Sequence, residues 1–518
     1  MINSPDLVYY SPAARDSLVR HTPTLATDLG IDILVDELIF SELHSIEQSG
    51  GHSLEYPFNE NKQSRKFTSL ILENPTSDLD TILYRQEIFS DLKNERILGT
   101  IKEAIDLAVV IPGKLRNLDS SEVGAAGSMI QSMVSHSLFV ELLSQELKGA
   151  PSEGLGRLRD YCINVRKSRN YTELREFLIN LSGNNLKLEF SLDGRLRANE
   201  VSLHHSKKIQ GTSLGDPGKV ATHFHDHMYE IVIDGYLRKF FPQISETRKM
   251  FEQLTYYFYG TGFMTELAQN GFETTTPKML PMKKRAWNVH NASNPLLLPR
   301  VKEGYELVAN NIDYNPRSNI RIITGMNSGG KTVYIKSVGL LYILAQGGFD
   351  IPARNGSSIS VVDGLYTHFV SKDDIGMGEG THDSSLKRLR EIVENATYYS
   401  MLLLDEPTRG TSDKDGVRES LDFLYGANRL GSATYMTTHL HDLCRSAERR
   451  FKSVNNLQTE IIRGKRRKLE PTYRIIEGAA GQSYGTVAAG NAGITKHSIR
   501  KSIDGRVDRG ELKKRMLR

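Results

Sequence analysis

The feature that most constrains the fold is a glycine-rich loop that joins an apolar segment to a helical one. The segment NIRIITG ends at Gly325, and the residues after it complete the pattern G-x-x-x-x-G-K-[ST]. In this pattern the glycines let backbone N–H groups turn toward phosphates, the lysine reaches the terminal phosphates, and the hydroxyl ligates magnesium. We therefore predict a phosphate-binding loop made of Gly325, Met326, Asn327, Ser328, Gly329, Gly330, Lys331, Thr332 and Val333.

Two further strand ends carry residues that suit phosphate chemistry. The run MLLLDEP ends in adjacent carboxylates, of which Asp405 can hold magnesium and Glu406 can polarise an attacking water. The run ATYMTTH ends in His439, which can sense a terminal phosphate. We take Lys331, Glu406 and His439 as candidate catalytic residues, and Thr332 and Asp405 as candidate magnesium ligands.

The order of the segments predicts a multidomain fold of α and α/β class. Residues 78–181 and 244–269 have apolar residues at helical spacing, which indicates a helical core or lever domain. After Pro277, short apolar runs alternate with helical patterns. Such alternation predicts a mostly parallel sheet with helices on both faces, as in P-loop ATPase domains.

A small insertion, at about residues 186–235, interrupts the helical part. The runs LKLEFSL and RLRANEVSL flank an Asp-Gly turn, which predicts a β-hairpin. The histidines of HFHDH, residues 223–227, suggest a metal site, although no second ligand cluster accompanies them.

Composition narrows the environment of the protein. Two cysteines among 518 residues, Cys162 and Cys444, support neither a disulfide framework nor a cysteine metal site. No apolar run approaches the roughly 18 residues of a membrane span, and the N-terminus lacks a secretory pattern. We therefore expect a cytoplasmic protein without membrane contact. The net charge of +4 does not by itself predict nucleic-acid binding, but the runs RGKRRK and RVDRGELKKRMLR concentrate positive charge late in the chain.

The chain resembles the MutS-related ATPases of DNA mismatch repair and recombination control. The segment GMNSGGKT is similar to that family's GPNxGGK[ST], and LLLDEPTRGTSDKDG is similar to its DExGRGTSxxDG. The segment SYGTVAAGNAG resembles the closing motif SYGxxVAxxAG with a one-residue difference. The continuation TVYIKSVGLLYILAQGGFDIPA is more similar to the second bacterial MutS type than to the mismatch-recognising type.

This resemblance implies a domain order, cofactors and partners. It implies an N-terminal extension at residues 1–60, a helical core or lever domain at 61–275, and a MutS-type P-loop ATPase domain of ABC type with a dimerisation region at 276–518. It also implies ATP and Mg²⁺ as cofactors, a homodimer, and structured or mismatched DNA as the partner. Because the family's lever tip touches DNA, the resemblance makes three lysines of the insertion candidate phosphate contacts, with a solvated loop as the alternative; they are Lys207, Lys208 and Lys219. Only residues 1–60 precede the helical core, too few for the family's mismatch-reading domain, and the chain ends soon after the ATPase part. We therefore expect neither that domain nor a C-terminal small nuclease domain.

One departure concerns the signature segment that a partner subunit supplies to the family's composite site. The family pattern DDLxSGRSTFxxE aligns with DDIGMGEGTHDSS at residues 373–385. Gly380 replaces the serine that would reach the partner's nucleotide, and Thr381 or the N–H of Gly380 is the candidate substitute. We expect an ATPase that clamps DNA, and this departure keeps open a nucleotide-gated nucleic-acid or ribosome-associated scaffold with little hydrolysis. A transporter ATPase would need a signature like LSGGQ, which we do not find in the sequence.

Overall fold

The computed structural model describes residues 4–48, 58–109, 111, 125–182, 186–192, 198–205, 218–369, 379–463, 469–479, 493–509 and 511. Contacts divide the chain into two units. The first unit comprises Met1–Pro12, Leu38–Thr68 and Leu83–Phe263. The second unit comprises Ala13–Glu37, Ser69–Ile82 and Met264–Arg518.

The described α-helices follow the chain in this order: α1 (Leu25–Leu29), α2 (Ile31–Gln48), α3 (Phe58–Glu73), α4 (Leu79–Asp91), α5 (Glu95–Val109), α6 (Ala125–Glu146), α7 (Glu153–Arg166), α8 (Arg169–Ser182), α9 (Gly218–Gln269), α10 (Leu298–Lys302), α11 (Lys331–Gly347), α12 (Glu379–Asn395), α13 (Asp413–Leu430), α14 (His441–Arg450) and α15 (Lys496–Asp508). The described strands are β1 (Arg20–His21), β2 (Leu186–Leu192), β3 (Ala198–His205), β4 (Lys278–Leu280), β5 (Trp287–Ala292), β6 (Asn310–Tyr314), β7 (Ile320–Thr324), β8 (Ser358–Ser360), β9 (Gly364–Phe369), β10 (Met401–Asp405), β11 (Ala433–Thr437), β12 (Val454–Arg463) and β13 (Leu469–Glu477).

The first unit is mainly helical, and α7 shows how one of its helices buries an apolar stripe. In α7 the buried residues Leu155, Leu158 and Cys162 recur at intervals of three and four, the spacing of one helix face. Ser152 caps this helix, because its hydroxyl accepts the backbone N–H of Leu155 at 3.3 Å. In addition, β2 and β3 pair as an antiparallel hairpin. The turn between these strands lies outside the described residues.

Helix α9 is longer than the sequence pattern indicates. We expected a helix from residue 244, but α9 begins at Gly218 and runs for 52 residues, through Pro242. The first part of α9 contains histidines and aspartate that interrupt the helical spacing of apolar residues, so this spacing does not predict that part of the helix. Residues 223–227 therefore belong to a helix. The lever role and the predicted domain boundaries stay predictions.

The second unit contains the predicted mostly parallel sheet, which is confirmed. Its order is β1-β9-β10-β11-β7-β12-β13, and each neighbouring pair is parallel except β12 with β13. All residues of β7, β9 and β11 are buried, as expected for parallel strands covered on both faces. A smaller sheet has the order β4-β8-β5-β6. In the described part of the chain, no helix is long and apolar enough to cross a lipid bilayer.

Candidate nucleotide-binding site

A fully buried strand leads directly into the predicted phosphate-binding loop. Strand β7 ends at Thr324, and α11 begins at Lys331. Gly325 has a φ of +141° and Gly330 a φ of +93°, values that residues with side chains rarely adopt. A Cβ atom at position 325 would lie 1.9 Å from Oγ1 of Thr459, which β12 carries beside β7. Backbone and neighbour therefore both require glycine at position 325.

Lys331 is the first residue of α11 and is only 6% exposed. Its Nζ donates to the carbonyl oxygens of Gly325 at 3.1 Å and of Met326 at 3.2 Å. Burial lowers the pKa of Lys331, while the nearby carboxylates of Glu406 and Asp405 act in the opposite direction. A buried ammonium group at the positive end of a helix dipole suits an anionic ligand.

Asp405, the last residue of β10, connects the loop to the neighbouring strand. Its Oδ2 accepts a hydrogen bond from Oγ1 of Thr332 at 2.9 Å, and its Oδ1 accepts one from Oγ1 of Thr437. The parallel register produces the second contact, because Asp405 and Thr437 are direct partners on β10 and β11. Hydroxyl and carboxylate oxygens are ligands that Mg²⁺ prefers. The two predicted magnesium ligands therefore lie together.

Glu406 follows β10 in the left-handed conformation, with a φ of +48°. Its N–H donates to the carbonyl oxygen of Thr437 at 3.2 Å and to Oγ1 of Thr437 at 3.1 Å. Its Oε2 lies 3.6 Å from Nη1 of Arg409 and 3.8 Å from Nδ1 of His439. Such backbone strain persists only where the surroundings hold it, and it is concentrated at functional sites. The structure thus brings together the two predicted catalytic side chains Glu406 and His439.

A cavity of about 470 Å³ opens over the loop. Its lining includes loop and helix residues that the sequence predicted, namely Asn327, Ser328, Gly330, Lys331, Thr332 and Val333, together with Glu406. Gly325 and Met326 contribute the carbonyl groups that hold Lys331. Gly329 packs against β12, because a Cβ atom there would lie 2.9 Å from Oγ1 of Thr459.

Tyr473 is a residue of this cavity that the sequence motifs did not reveal. It lies on β13 with a φ of +61°, opposite the register shift between Thr459 and Ile461 on β12. A Cβ atom at Gly330 would lie 3.4 Å from Cδ1 of its ring. The irregularity therefore directs the ring over the loop, and it depends on strand pairing, which a motif search does not detect.

Asn310 fixes the backbone that directly follows this tyrosine. Its Nδ2 donates to the carbonyl oxygen of Tyr473 at 3.1 Å, and its Oδ1 accepts the N–H of Ile475 at 2.7 Å. Tyr305, on the same cavity, is 62% exposed, and Tyr473 is 51% exposed. The cavity thus has a polar floor around Lys331 and an aromatic side that could contact a planar apolar group.

Other predicted site residues fall partly or wholly outside the description. Gly380 and Thr381 lie in the first turn of α12, and Lys219 lies in the first turn of α9, but their side chains are not described. The residues 373–378, Lys207 and Lys208 lie outside the described residues. Where the structure describes side chains, no group of three or more His, Cys, Asp or Glu could hold a metal ion. The two cysteines are free and buried.

Comparisons with known proteins agree with these motifs. A family model described as MutS domain V matches residues 321–505. The DNA mismatch repair protein MutS of Persephonella marina is 35% identical over 214 residues, which are 39% of this chain and 24% of that protein. The endonuclease MutS2 of Staphylococcus carnosus is 31% identical over 240 residues, which are 46% of this chain and 30% of that protein.

A third relative, the DNA mismatch repair protein MutS of Haloquadratum walsbyi, is 36% identical over 200 residues, which are 36% of this chain and 20% of that protein. The chain thus aligns with less than a third of the length of each of these relatives. The matched residues contain the loop, both carboxylates and His439. Residues 321–505 of the chain thus match MutS domain V, and this part of the chain is similar to MutS and MutS2 proteins.

Proposed function

We propose that this chain binds ATP with Mg²⁺ over residues 325–333, hydrolyses the ATP, and uses the nucleotide state to control a clamp on DNA. The observation that carries the proposal is the 2.9 Å contact between Thr332 and Asp405, directly beside Glu406. A hydroxyl from the phosphate-binding helix and a carboxylate from a strand end meet there, as phosphoryl transfer requires.

The phosphates would occupy the N-terminal end of α11. Lys331 is already directed at the loop, since its Nζ bonds two loop carbonyl oxygens. We infer that it exchanges these weak acceptors for phosphate oxygens, which form stronger hydrogen bonds with a charged donor. Because folding already removes water from this lysine, its ammonium group is preorganised for an anion before the nucleotide binds.

The donor set at Thr332 and Asp405 fits Mg²⁺. When bound, Mg²⁺ neutralises charge that develops on the phosphate oxygens. Thr437 keeps the carboxylate of Asp405 in place through its hydroxyl group. This arrangement leaves the first carboxylate for the metal and the second, on Glu406, for the reaction.

We infer that Glu406 orients and polarises the attacking water. Arg409 and His439 lie on either side of its Oε2, and Thr437 holds its backbone. The side chain of His439 is 48% exposed, so it is accessible to a bound nucleotide and can contact the terminal phosphate, as a phosphate-sensing residue must. Tyr473 and Tyr305 would contact the base, because the cavity is aromatic on that side.

The DNA partner is proposed from the relatives, two of which are named as DNA mismatch repair proteins. The homodimer stays a prediction from the resemblance of the sequence motifs. Trans completion by Gly380 and Thr381, DNA contacts of Lys207, Lys208 and Lys219, and a cytoplasmic location stay predictions. Whether the clamp prefers structured or mismatched DNA is part of the test.

The experiment measures steady-state ATP hydrolysis and DNA binding by the full chain. Duplex, mismatched, four-way-junction and single-stranded DNA are compared at two salt concentrations, with and without ATP. The proposal predicts hydrolysis that depends on Mg²⁺ and DNA binding that changes with ATP. Tight ATP binding with negligible hydrolysis would support the scaffold alternative instead, and failure to bind ATP would refute both.

A further inference from the structure

The N-terminal segment Ala13–Glu37 belongs to the second unit, although it precedes the helical part of the chain. Strand β1 pairs in parallel with β9 and forms the edge of the seven-stranded sheet. Helix α1 packs against α11, since a Cβ atom at Gly339 would lie 2.7 Å from Cδ2 of Leu29. The segment therefore contacts both the strand next to β10 and the helix that carries Lys331.

A buried carboxylate lies at the centre of this contact. Asp28, on α1, is 8% exposed, and its Oδ2 accepts hydrogen bonds from Oγ1 of Thr367 at 2.6 Å and Oγ1 of Thr24 at 2.9 Å. Arg388, on α12, forms an ion pair with the same oxygen. It also donates to the carbonyl oxygen of Thr367 at 3.0 Å. One carboxylate thus connects α1, β9 and α12.

The strand and helix that Asp28 connects both adjoin the candidate site. On β9, Phe369 is the register partner of Asp405, and Thr367 is the partner of Leu403. The side chain of Lys336, on α11, lies 5.7 Å from the ring centroid of Phe369. Displacement of β9 would therefore shift its register partner Asp405 and disturb the contact with α11.

Helix α12 is held on its other side by α13. Nε2 of His382 lies 3.2 Å from Oε1 of Glu419, and α13 begins at Asp413, soon after Glu406. The contacts of His382 and Arg388 thus fix α12 between α13 and the N-terminal segment. Loss of the Arg388 contact would leave a partly buried cation without its carboxylate, which is costly.

We propose that Asp28 is a positioning residue for the candidate nucleotide site, which it serves by fixing α12 and β9 through Arg388 and Thr367. The proposal rests on the proposed function and adds to it a role for the N-terminal segment. Asp28, Thr367 and Arg388 do not line the cavity over the loop. Their loss should therefore change turnover rather than ATP affinity.

The test uses the full chain with Asp28→Asn, a substitution of nearly equal shape. The control is Asp32→Asn, because Asp32 belongs to the same N-terminal segment, at the start of α2, and is exposed. We expect Asp28→Asn to lower kcat about tenfold and to leave the Kd for ATP within about twofold, the pattern of a lost positioning contact. Hydrogen exchange should become faster in residues 379–395 and 364–369, and not throughout the second unit. Asp32→Asn should behave as wild type in all three measurements.

Two further variants separate positioning from general stability. Arg388→Lys keeps the charge but loses the planar guanidinium geometry that lets Nη2 contact both Asp28 and the carbonyl oxygen of Thr367, so it should fall between wild type and Asp28→Asn. In the double variant Asp28→Asn, Arg388→Gln, the exchange rate of residues 379–395 should be no faster than in either single variant, because no unpaired charge remains.

The proposal is overturned if Asp28→Asn exchanges in residues 379–395 like Asp32→Asn, or if exchange rises uniformly with a fall in Tm. If the wild-type chain binds no ATP, or binds it without turnover, the proposed ATPase function fails. The exchange comparison then still decides whether Asp28 fixes α12, so the two failures can be told apart.

Discussion

Gly325→Ala is the substitution for which the structure gives the sharpest expectation. The new Cβ would lie 1.9 Å from Oγ1 of Thr459, whereas ordinary contact begins at 3.4 Å, so loop and strand must separate by about 1.5 Å. Thr459 is 1% exposed, and its Cβ and Cγ2 also lie within 3.1 Å of the new atom, so a rotation of its side chain gives little relief. The loop itself must move.

The movement and the backbone strain act on ATP binding together. A side chain at a φ of +141° costs on the order of 1–3 kcal/mol. If restoring the loop to its binding conformation costs about 2–3 kcal/mol, ATP affinity falls about 30- to 150-fold. The measurement is a titration of the full chain with ATP and Mg²⁺ by calorimetry, with circular dichroism to show that the variant is folded.

Gly356→Ala supplies the matched control. Gly356 also has a positive φ, +89°, but a Cβ there meets nothing within 4 Å. This variant should lose stability by about 1 kcal/mol and keep wild-type ATP affinity. Thr459→Ala added to Gly325→Ala removes Oγ1, the nearest atom, and Cγ2, while Cβ stays 2.9 Å from the new atom, so it should recover about tenfold of the lost affinity. The reasoning is refuted if Gly325→Ala binds ATP as tightly as Gly356→Ala.

Two further predictions concern other residues. Tyr473→Ala should weaken ATP binding about tenfold in the same titration, because it removes the ring that we place against the base. Two controls should have little effect: Tyr473→Phe keeps the ring, and Tyr425→Ala removes a tyrosine that is 59% exposed. Equal losses of affinity for Tyr473→Ala and Tyr425→Ala would contradict a contact with the base. Complete burial lowers the pKa of His136 from 6.5 to about 4. Because the unfolded chain binds this proton at a higher pH than the folded chain, the first unit should lose stability as the pH falls from 6.5 toward 4. The loss in free energy of unfolding should be roughly 3 kcal/mol at most. Urea unfolding at several pH values should show this slope in the wild type and a smaller one in His136→Leu, and equal slopes would contradict it.

The parts of the site that could be predicted from the sequence are those in which chemistry is local. The spacing of Gly325, Gly330 and Lys331 is fixed by the geometry of one loop, so it can be read without knowing any neighbour. Asp405 and Glu406 could be found because a buried parallel strand is a continuous apolar run that ends at the functional edge of the sheet. The mostly parallel sheet could be predicted for the same reason.

What could not be predicted depends on contacts between distant segments. Thr459 and Tyr473 reach the loop only because β12 pairs with β7 and β13 is irregular, and neither fact has a signature in sequence. Asp28 and Arg388 are far apart in the chain, and no motif connects them. The early start of α9 was hidden because polar residues at its beginning lack a clear apolar period.

The measurement that tests the central claim most directly compares wild type, Glu406→Gln and Glu448→Gln in ATP binding and in turnover. Glu448 lies on α14 and is exposed, so it controls for the loss of one carboxylate. If Glu406 polarises the attacking water, Glu406→Gln keeps ATP affinity within a few-fold and lowers kcat by about 100-fold or more, while Glu448→Gln matches wild type. Turnover by Glu406→Gln at the wild-type rate would contradict the account.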